Sequence, residues 1–188
     1  MAKQLPSDEE LMRKYGPKNP SILGLLFSVT LGVLAFVYIF IAIFSRDPLW
    51  FWPRFAEVPQ RIVVHCQGED VVLEANSPHL AAITALFNQQ ISGEKRWDQL
   101  SFSQPEYYRS GQDVISIETT YSEPVRIHHY NLFFRNLDTL IILLEGANAQ
   151  TNPVFGLIGE FPTSGALHVE DTQPLRDYLA QNQICPRP

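Results

Sequence analysis

The chain has 188 residues and a net charge of −6 at pH 7, and its length allows one domain of ordinary size together with a membrane anchor. Residues 57–188 contain eight Lys and Arg residues against sixteen Asp and Glu residues. Because nucleic-acid binding is driven by phosphate neutralisation, an acidic domain of this kind predicts no nucleic-acid partner.

A long apolar segment follows a polar tail at residues 1–20. From Ile22 to Phe44 the sequence runs 23 residues without a charge, which is typical of a transmembrane helix. At a rise of about 1.5 Å per residue, this helix would be roughly 34 Å long, slightly more than the hydrocarbon layer of a bilayer. We therefore predict a single-pass membrane protein with its helix over residues 21–45 in the lipid bilayer.

The charges on either side of the helix predict its orientation. Arg46 and Arg54 follow the helix, whereas four basic residues precede it: Lys3, Arg13, Lys14 and Lys18. The side richer in Lys and Arg normally stays in the cytoplasm, so we predict a cytoplasmic tail and an extracytoplasmic domain. A cleaved signal peptide is the alternative, but its apolar region is usually only about 7–15 residues long and ends at small residues. The longer segment here favours an uncleaved signal anchor.

Small residues recur at every fourth position of the predicted helix. Gly24, Ser28 and Gly32 fall on one side of it, and small residues at that spacing allow a second helix to approach closely. The alternative is that these residues reflect composition alone, because glycine is common in membrane helices. We predict a helix-packing surface for other membrane protein subunits.

An aromatic segment occupies residues 46–56, directly after the helix. It contains Trp50, Phe51, Trp52 and Phe55, and such residues are enriched where a bilayer meets water. We predict that this linker lies at the membrane interface. Because Trp and Phe also dominate protein interfaces, a partner-docking segment is the alternative.

The chain contains two cysteines, Cys66 and Cys185. In an oxidising compartment these two cysteines could form a disulfide. Whether they do depends on the distance between their Cα atoms, which the sequence does not give. The alternative is a small buried Cys66 and a loose Cys185 thiol.

Alternating and β-branched segments predict most of the domain at residues 57–188. A hairpin is expected at residues 61–66 and 71–75, followed by a helix from Pro78 to Gly93 and by an irregular segment over residues 96–111. Further strands are expected over 113–121, 125–134, 139–145, 154–161 and 166–169, and a last helix from Asp171 or Thr172 to Gln183. Without regular alternation of strands and helices, this order predicts an α+β domain with a mainly antiparallel sheet and two packed helices.

No local motif indicates chemistry. The five histidines lack metal-ligand spacing, and His128 and His129 are adjacent in a predicted strand, where they would point to opposite sides. The sequence also lacks a nucleophile elbow and a phosphate-binding loop. We therefore predict no catalytic, cofactor-binding or metal-binding residues and no cofactor.

These features predict a non-catalytic accessory or scaffolding subunit of a larger membrane protein complex. One alternative is a membrane-tethered ligand-binding or sensory domain, with an apolar pocket formed by the sheet and the loop that holds Tyr107 and Tyr108. The other is an enzyme whose active site is assembled across the fold and leaves no local motif.

Overall fold

The computed structural model describes residues 21–100, 105–130 and 134–185. The polar tail predicted at residues 1–20 lies outside this part of the chain. The described residues divide into two units, with the boundary between residues 40 and 41. The second unit therefore includes segment 46–56, which the sequence assigns to a linker.

A single helix in the described part of the chain is long and apolar enough to cross a membrane. Helix α1 spans Ile22–Ser45 and has a mean hydropathy of 2.6 over its most apolar window. Its side chains are mostly exposed up to residue 40. The helix predicted over residues 21–45 is thus present, with Pro48 following shortly after its end.

The rest of the described chain forms an open antiparallel sheet with three helices, which confirms the predicted α+β class. The helices are α2 (Leu80–Ser92), α3 (Pro105–Ser110) and α4 (Gln173–Gln181). The strands are β1 (Arg61–Cys66), β2 (Glu69–Leu73), β3 (Lys95–Asp98), β4 (Ile115–Val125), β5 (Leu137–Glu145), β6 (Pro153–Ile158), β7 (Phe161–Pro162) and β8 (Ala166–Val169). Their order across the sheet is β2-β1-β4-β5-β6-β8-β3, with β7 paired to β6.

Helices α2 and α4 cover one side of the sheet. Ile83 and Phe87 of α2 and Leu175 and Leu179 of α4 are buried there, in a cluster with apolar residues of the central strands. Both helices were predicted at nearly these positions, because their apolar residues recur at helical spacing. The aliphatic segment of β5 lies beneath them as a central core strand.

The other side of the sheet is covered by a short helix that the sequence analysis did not predict. Helix α3 packs Tyr108 against Phe155 of β6, with ring centroids 5.0 Å apart, over Ile141 and Leu143 of β5. Strand β3 was also not predicted, because Lys95–Asp98 is a polar edge strand that is defined by its pairing with β8. Segment 96–111 is therefore partly ordered rather than irregular.

The strand predicted over residues 125–134 is wrong. Strand β4 continues through Pro124 to Val125, and residues 126–130 form a loop, while residues 131–133 lie outside the described chain. The pairing of β4 with β5 is irregular between Thr120 and Val125, which accommodates a proline that cannot donate a ladder hydrogen bond. After Val125 the chain turns toward the end of α1 instead of pairing, as described below.

A disulfide joins Cys66, at the end of β1, to Cys185, which follows α4. Their Cα atoms are 5.4 Å apart, within the usual range for a disulfide. The bond ties the segment after α4 to a strand near one edge of the sheet, beneath the helix-covered core.

Replacing both cysteines with alanine should lower the free energy of unfolding by about 2–5 kcal/mol, because the unfolded chain would no longer be closed into a long loop. Denaturant titration of the full chain in detergent, followed by tryptophan fluorescence, would measure this difference. The reduced wild-type protein serves as control and should behave like the variant. Equal midpoints for the oxidised wild type and the variant would contradict the prediction.

Candidate functional site

The small residues of α1 leave an open strip on the helix. A side chain added at Gly32 would meet no described atom within 4 Å, and one added at Gly24 would meet only Ser21 Cβ at 3.8 Å. Ser28 Oγ donates a hydrogen bond to the Gly24 carbonyl oxygen at 2.9 Å, so its hydroxyl is satisfied within the helix. At this strip another helix could approach the backbone of α1 closely, and the Ser28 hydroxyl already has its hydrogen-bond partner within α1.

The aromatic segment after α1 divides into exposed and buried residues. Phe51 is 53% exposed and Trp52 is 50% exposed, whereas Trp50 is half-buried with its ring 5.9 Å from that of Phe51. Phe55 was also predicted at the membrane interface, but it is only 5% exposed and packs edge-on against Tyr121 in the core. Phe55 is therefore corrected to a core residue.

The end of α1 is fastened to the loop that follows β4. Asp47 is 4% exposed, and its carboxylate accepts hydrogen bonds from His128 Nδ1 at 2.8 Å and from the Leu49 backbone N–H at 2.9 Å. Arg126 donates to the Arg46 carbonyl oxygen at 3.0 Å. These contacts explain why residues 126–130 leave the sheet.

His129 lies beside this junction and is held neutral. Burial, followed by repulsion from the nearby Lys95 charge, lowers the pKa of His129 to about 4. A neutral imidazole is therefore packed next to the buried Asp47–His128 contact, and its ring centroid lies 4.0 Å from that of Tyr130.

A second polar cluster lies on the side of the sheet that α3 covers. His65 of β1 places Nδ1 2.7 Å from an Asp70 oxygen and Nε2 3.3 Å from Glu118 Oε2. Arg109 of α3 donates to both oxygens of Glu118, at 2.7 and 3.1 Å. Three strands and α3 are thereby linked through side chains, and we name these four residues the His65 cluster.

The charges of the His65 cluster support one another. Burial alone would lower the pKa of His65, but hydrogen bonds and attraction from Glu118 and Asp70 outweigh it and raise that pKa above 6.5. Burial alone would raise the pKa of Glu118, but His65 and Arg109 outweigh it and lower that pKa below 4.5. The fold therefore favours a charged imidazolium between two carboxylates.

The pKa directions predict how the His65 cluster contributes to stability. Because the pKa of His65 is raised in the folded protein, its contribution to the free energy of unfolding is complete below about pH 6.5 and is lost as the pH rises through the pKa of the folded state. Because the pKa of Glu118 is lowered, its contribution is complete above about pH 4.5 and is lost as the pH falls further. Substituting His65→Gln should therefore lower the free energy of unfolding by about 1–3 kcal/mol near pH 5.5, and by less near pH 8.5.

Denaturant titrations at the two pH values would measure this difference. His79→Gln is the matched control, because His79 Nδ1 lies 3.1 Å from the Tyr178 hydroxyl rather than from a carboxylate oxygen. An equal cost of the His65→Gln substitution at both pH values would contradict the prediction.

The histidines do not converge on one site. His168 Nδ1 donates a hydrogen bond to the Thr151 carbonyl oxygen at 2.7 Å. Among residues 21–100, 105–130 and 134–185, no group of three or more His, Cys, Asp and Glu side chains is placed to hold a metal ion. Within the His65 cluster, both imidazole nitrogens and both Glu118 oxygens contact other members. The cluster therefore acts as a structural link between α3 and the sheet.

Two cavities that border the sheet among the described residues are open grooves. One of about 230 Å³ lies between α4 and the sheet, beside Arg176, Asp177 and Glu145. Another, of about 360 Å³, lies beside Lys95, His168 and Glu170. Their lining is mixed in charge and lacks the aromatic residues expected of the alternative ligand pocket.

Comparison of the chain with protein-family models, curated proteins and solved structures finds no match.

Sequence analysis missed the Asp47 junction and the His65 cluster, because each joins residues far apart in the chain. Asp47 carried one available signal, since it is an acid placed directly between an apolar helix and Pro48. His65 and Glu118 carried none, because their pairing depends on the register of β1 with β4.

Proposed function

We propose that this chain is a non-catalytic single-pass membrane protein that serves as an accessory or scaffolding subunit of a larger membrane protein complex. The observation that carries the proposal is the open strip at Gly24, Ser28 and Gly32 on an otherwise bulky apolar helix. Because lipid is as apolar as leucine, close packing at small residues is what drives helix association in a bilayer. A second transmembrane helix fits this strip.

The character of the domain supports the same function. The side of the sheet beneath α2 and α4 is filled by apolar side chains, and the described grooves are open and mixed in charge. The ionisable residues of the His65 cluster contact one another. These features favour a rigid interaction module over a ligand-binding or catalytic domain.

The proposed topology places the tail in the cytoplasm and the domain outside it. The excess of basic residues before α1 supports this orientation. The Cys66–Cys185 disulfide also supports it, since such bonds persist mainly in oxidising compartments.

Enlarging the small residues should separate the protein from its complex. In gentle detergent extracts of the native membrane, the wild-type chain should migrate as part of a larger assembly, whereas Gly24→Leu combined with Gly32→Leu should migrate as a monomer, because the added side chains fill the strip. Native electrophoresis with detection of the chain would measure the change.

Thr30→Leu is the matched control for that experiment. It adds an apolar side chain about 200° around the helix from Ser28, so the assembly should survive it. A monomeric wild-type protein, or equal loss of assembly in the control, would contradict the proposed packing surface.

A membrane-impermeant maleimide should label Gln150→Cys on intact cells, because Gln150 is exposed on the domain. The same reagent should label Ser7→Cys in the tail only after the cells are opened. Thiol labelling followed by gel shift would report both sites, while the native cysteines are protected in their disulfide. The reverse pattern would place the domain in the cytoplasm.

A further inference from the structure

The turn between β6 and β7 presents two apolar side chains to the surroundings. Ile158 is 47% exposed and Phe161 is 79% exposed, and they are paired across the turn. The Gly159 backbone N–H donates to the Asp138 carboxylate at 2.6 Å, and Gly159 has the positive φ of 61° that such a tight turn requires. The turn therefore has a defined shape, and we call Ile158, Gly159, Glu160 and Phe161 the hairpin tip.

Strand pairing places the hairpin tip at the same end of the sheet as the end of α1. Arg126, which directly follows β4, contacts Arg46 at the end of α1. Val125 of β4 pairs with Leu137 at the start of β5, and Thr139 of β5 pairs with Leu157 of β6. Because neighbouring strands are about 4.8 Å apart, the end of β6 at the tip lies two strands, roughly 10 Å, from the end of β4 that precedes Arg126.

The exposed apolar residues of the aromatic segment belong to this same end. Leu49, Phe51 and Trp52 follow directly on Asp47, which is fastened to His128. The tip and this segment therefore form two apolar projections that flank the loop after β4. Bulky apolar side chains that share one end of a domain indicate a common apolar environment.

Arginines lie at the end of the sheet that carries the tip. Arg46, Arg61, Arg126 and Arg135 are found there, beside acids such as Glu123 and Glu160. Anionic headgroups attract arginines, which favours contact of this end with a bilayer that contains anionic lipid.

We propose that the hairpin tip is a second contact of the domain with the bilayer, in which Ile158 and Phe161 enter the boundary between headgroups and acyl chains. This inference rests on the membrane-anchored topology proposed above. Glu160, exposed between the two apolar residues, keeps the insertion shallow, because a carboxylate stays among the headgroups. Together with the aromatic segment, the tip would give the domain a second contact with the membrane surface.

Spin labels on the full chain test the proposal. Ile158→Cys, Phe161→Cys, Trp52→Cys and Gln150→Cys would each carry one nitroxide in protein reconstituted into vesicles of phosphatidylcholine and phosphatidylglycerol. Collision rates with oxygen, which concentrates in lipid, and with a water-soluble nickel chelate would then be compared. Trp52 is the reference for the aromatic segment, and Gln150 is the control because it is exposed at the far end of the sheet.

The expected result is an oxygen-to-nickel collision ratio at positions 158 and 161 that matches position 52 and exceeds position 150 several-fold. Ratios at 158 and 161 equal to that at 150, with a high ratio at 52, would overturn the tip contact while leaving the anchor intact. A water-like ratio at position 52 as well would overturn the interfacial placement of the aromatic segment together with that of the tip, whereas the membrane topology is tested separately by the thiol labelling above. Low collision rates with both reagents at 158 and 161 would show a protein-covered tip and would also overturn the proposal.

Loss of folding is separated from loss of contact by a second measurement. The four labelled proteins should unfold at the same denaturant concentration as the wild type, because all four side chains are exposed.

Failure of the proposed subunit function and failure of the tip contact give different results. The assembly experiment with the variants at Gly24 and Gly32 uses native membranes, whereas the vesicle experiment uses the chain alone.

Discussion

Helix α1 exposes apolar side chains along its length, and this exposure constrains the rest of the protein because apolar surface in contact with water raises the free energy. A bilayer would remove that cost, and it can accept a helix because the backbone N–H and C=O groups of a helix are hydrogen-bonded to one another. The uncharged segment ends at Arg46 and Asp47, which are the first charged residues after the helix. Asp47 does not face solvent there: it is buried and hydrogen-bonded to His128. A charge in this position is tolerable because its partners replace water.

The Asp47 contact also determines the course of the chain beyond β4. Residues 126–130 could have extended the sheet by their β-branched and aromatic composition, but Arg126 and His128 instead contact residues 46 and 47. Part of the connection from β4 to β5 therefore contacts the residues that follow α1, while Ile127 and Phe134 in the same connection belong to the core.

The sequence predicts those elements whose signal is local. The uncharged length of α1, the helical spacing of Leu175 and Leu179, and the first hairpin were all predicted close to their observed positions. Strand β3 and helix α3 were not, because β3 is polar and depends on β8 for its pairing, while α3 has only six residues. Phe55 was misplaced because an aromatic residue near a membrane helix has the same composition signal whether it faces lipid or the core. Of the candidate site, the strip on α1 was predictable from spacing, whereas the His65 cluster required the register of two strands.

The disulfide has a consequence for the order in which the domain matures. Cys66 belongs to the first strand, but Cys185 follows every strand and helix in the described chain. During synthesis the bond therefore cannot close until all eight strands of the described chain have been made. Until the bond closes, only non-covalent packing can stabilise the sheet, and the disulfide is the last contact between β1 and the segment after α4 to become available.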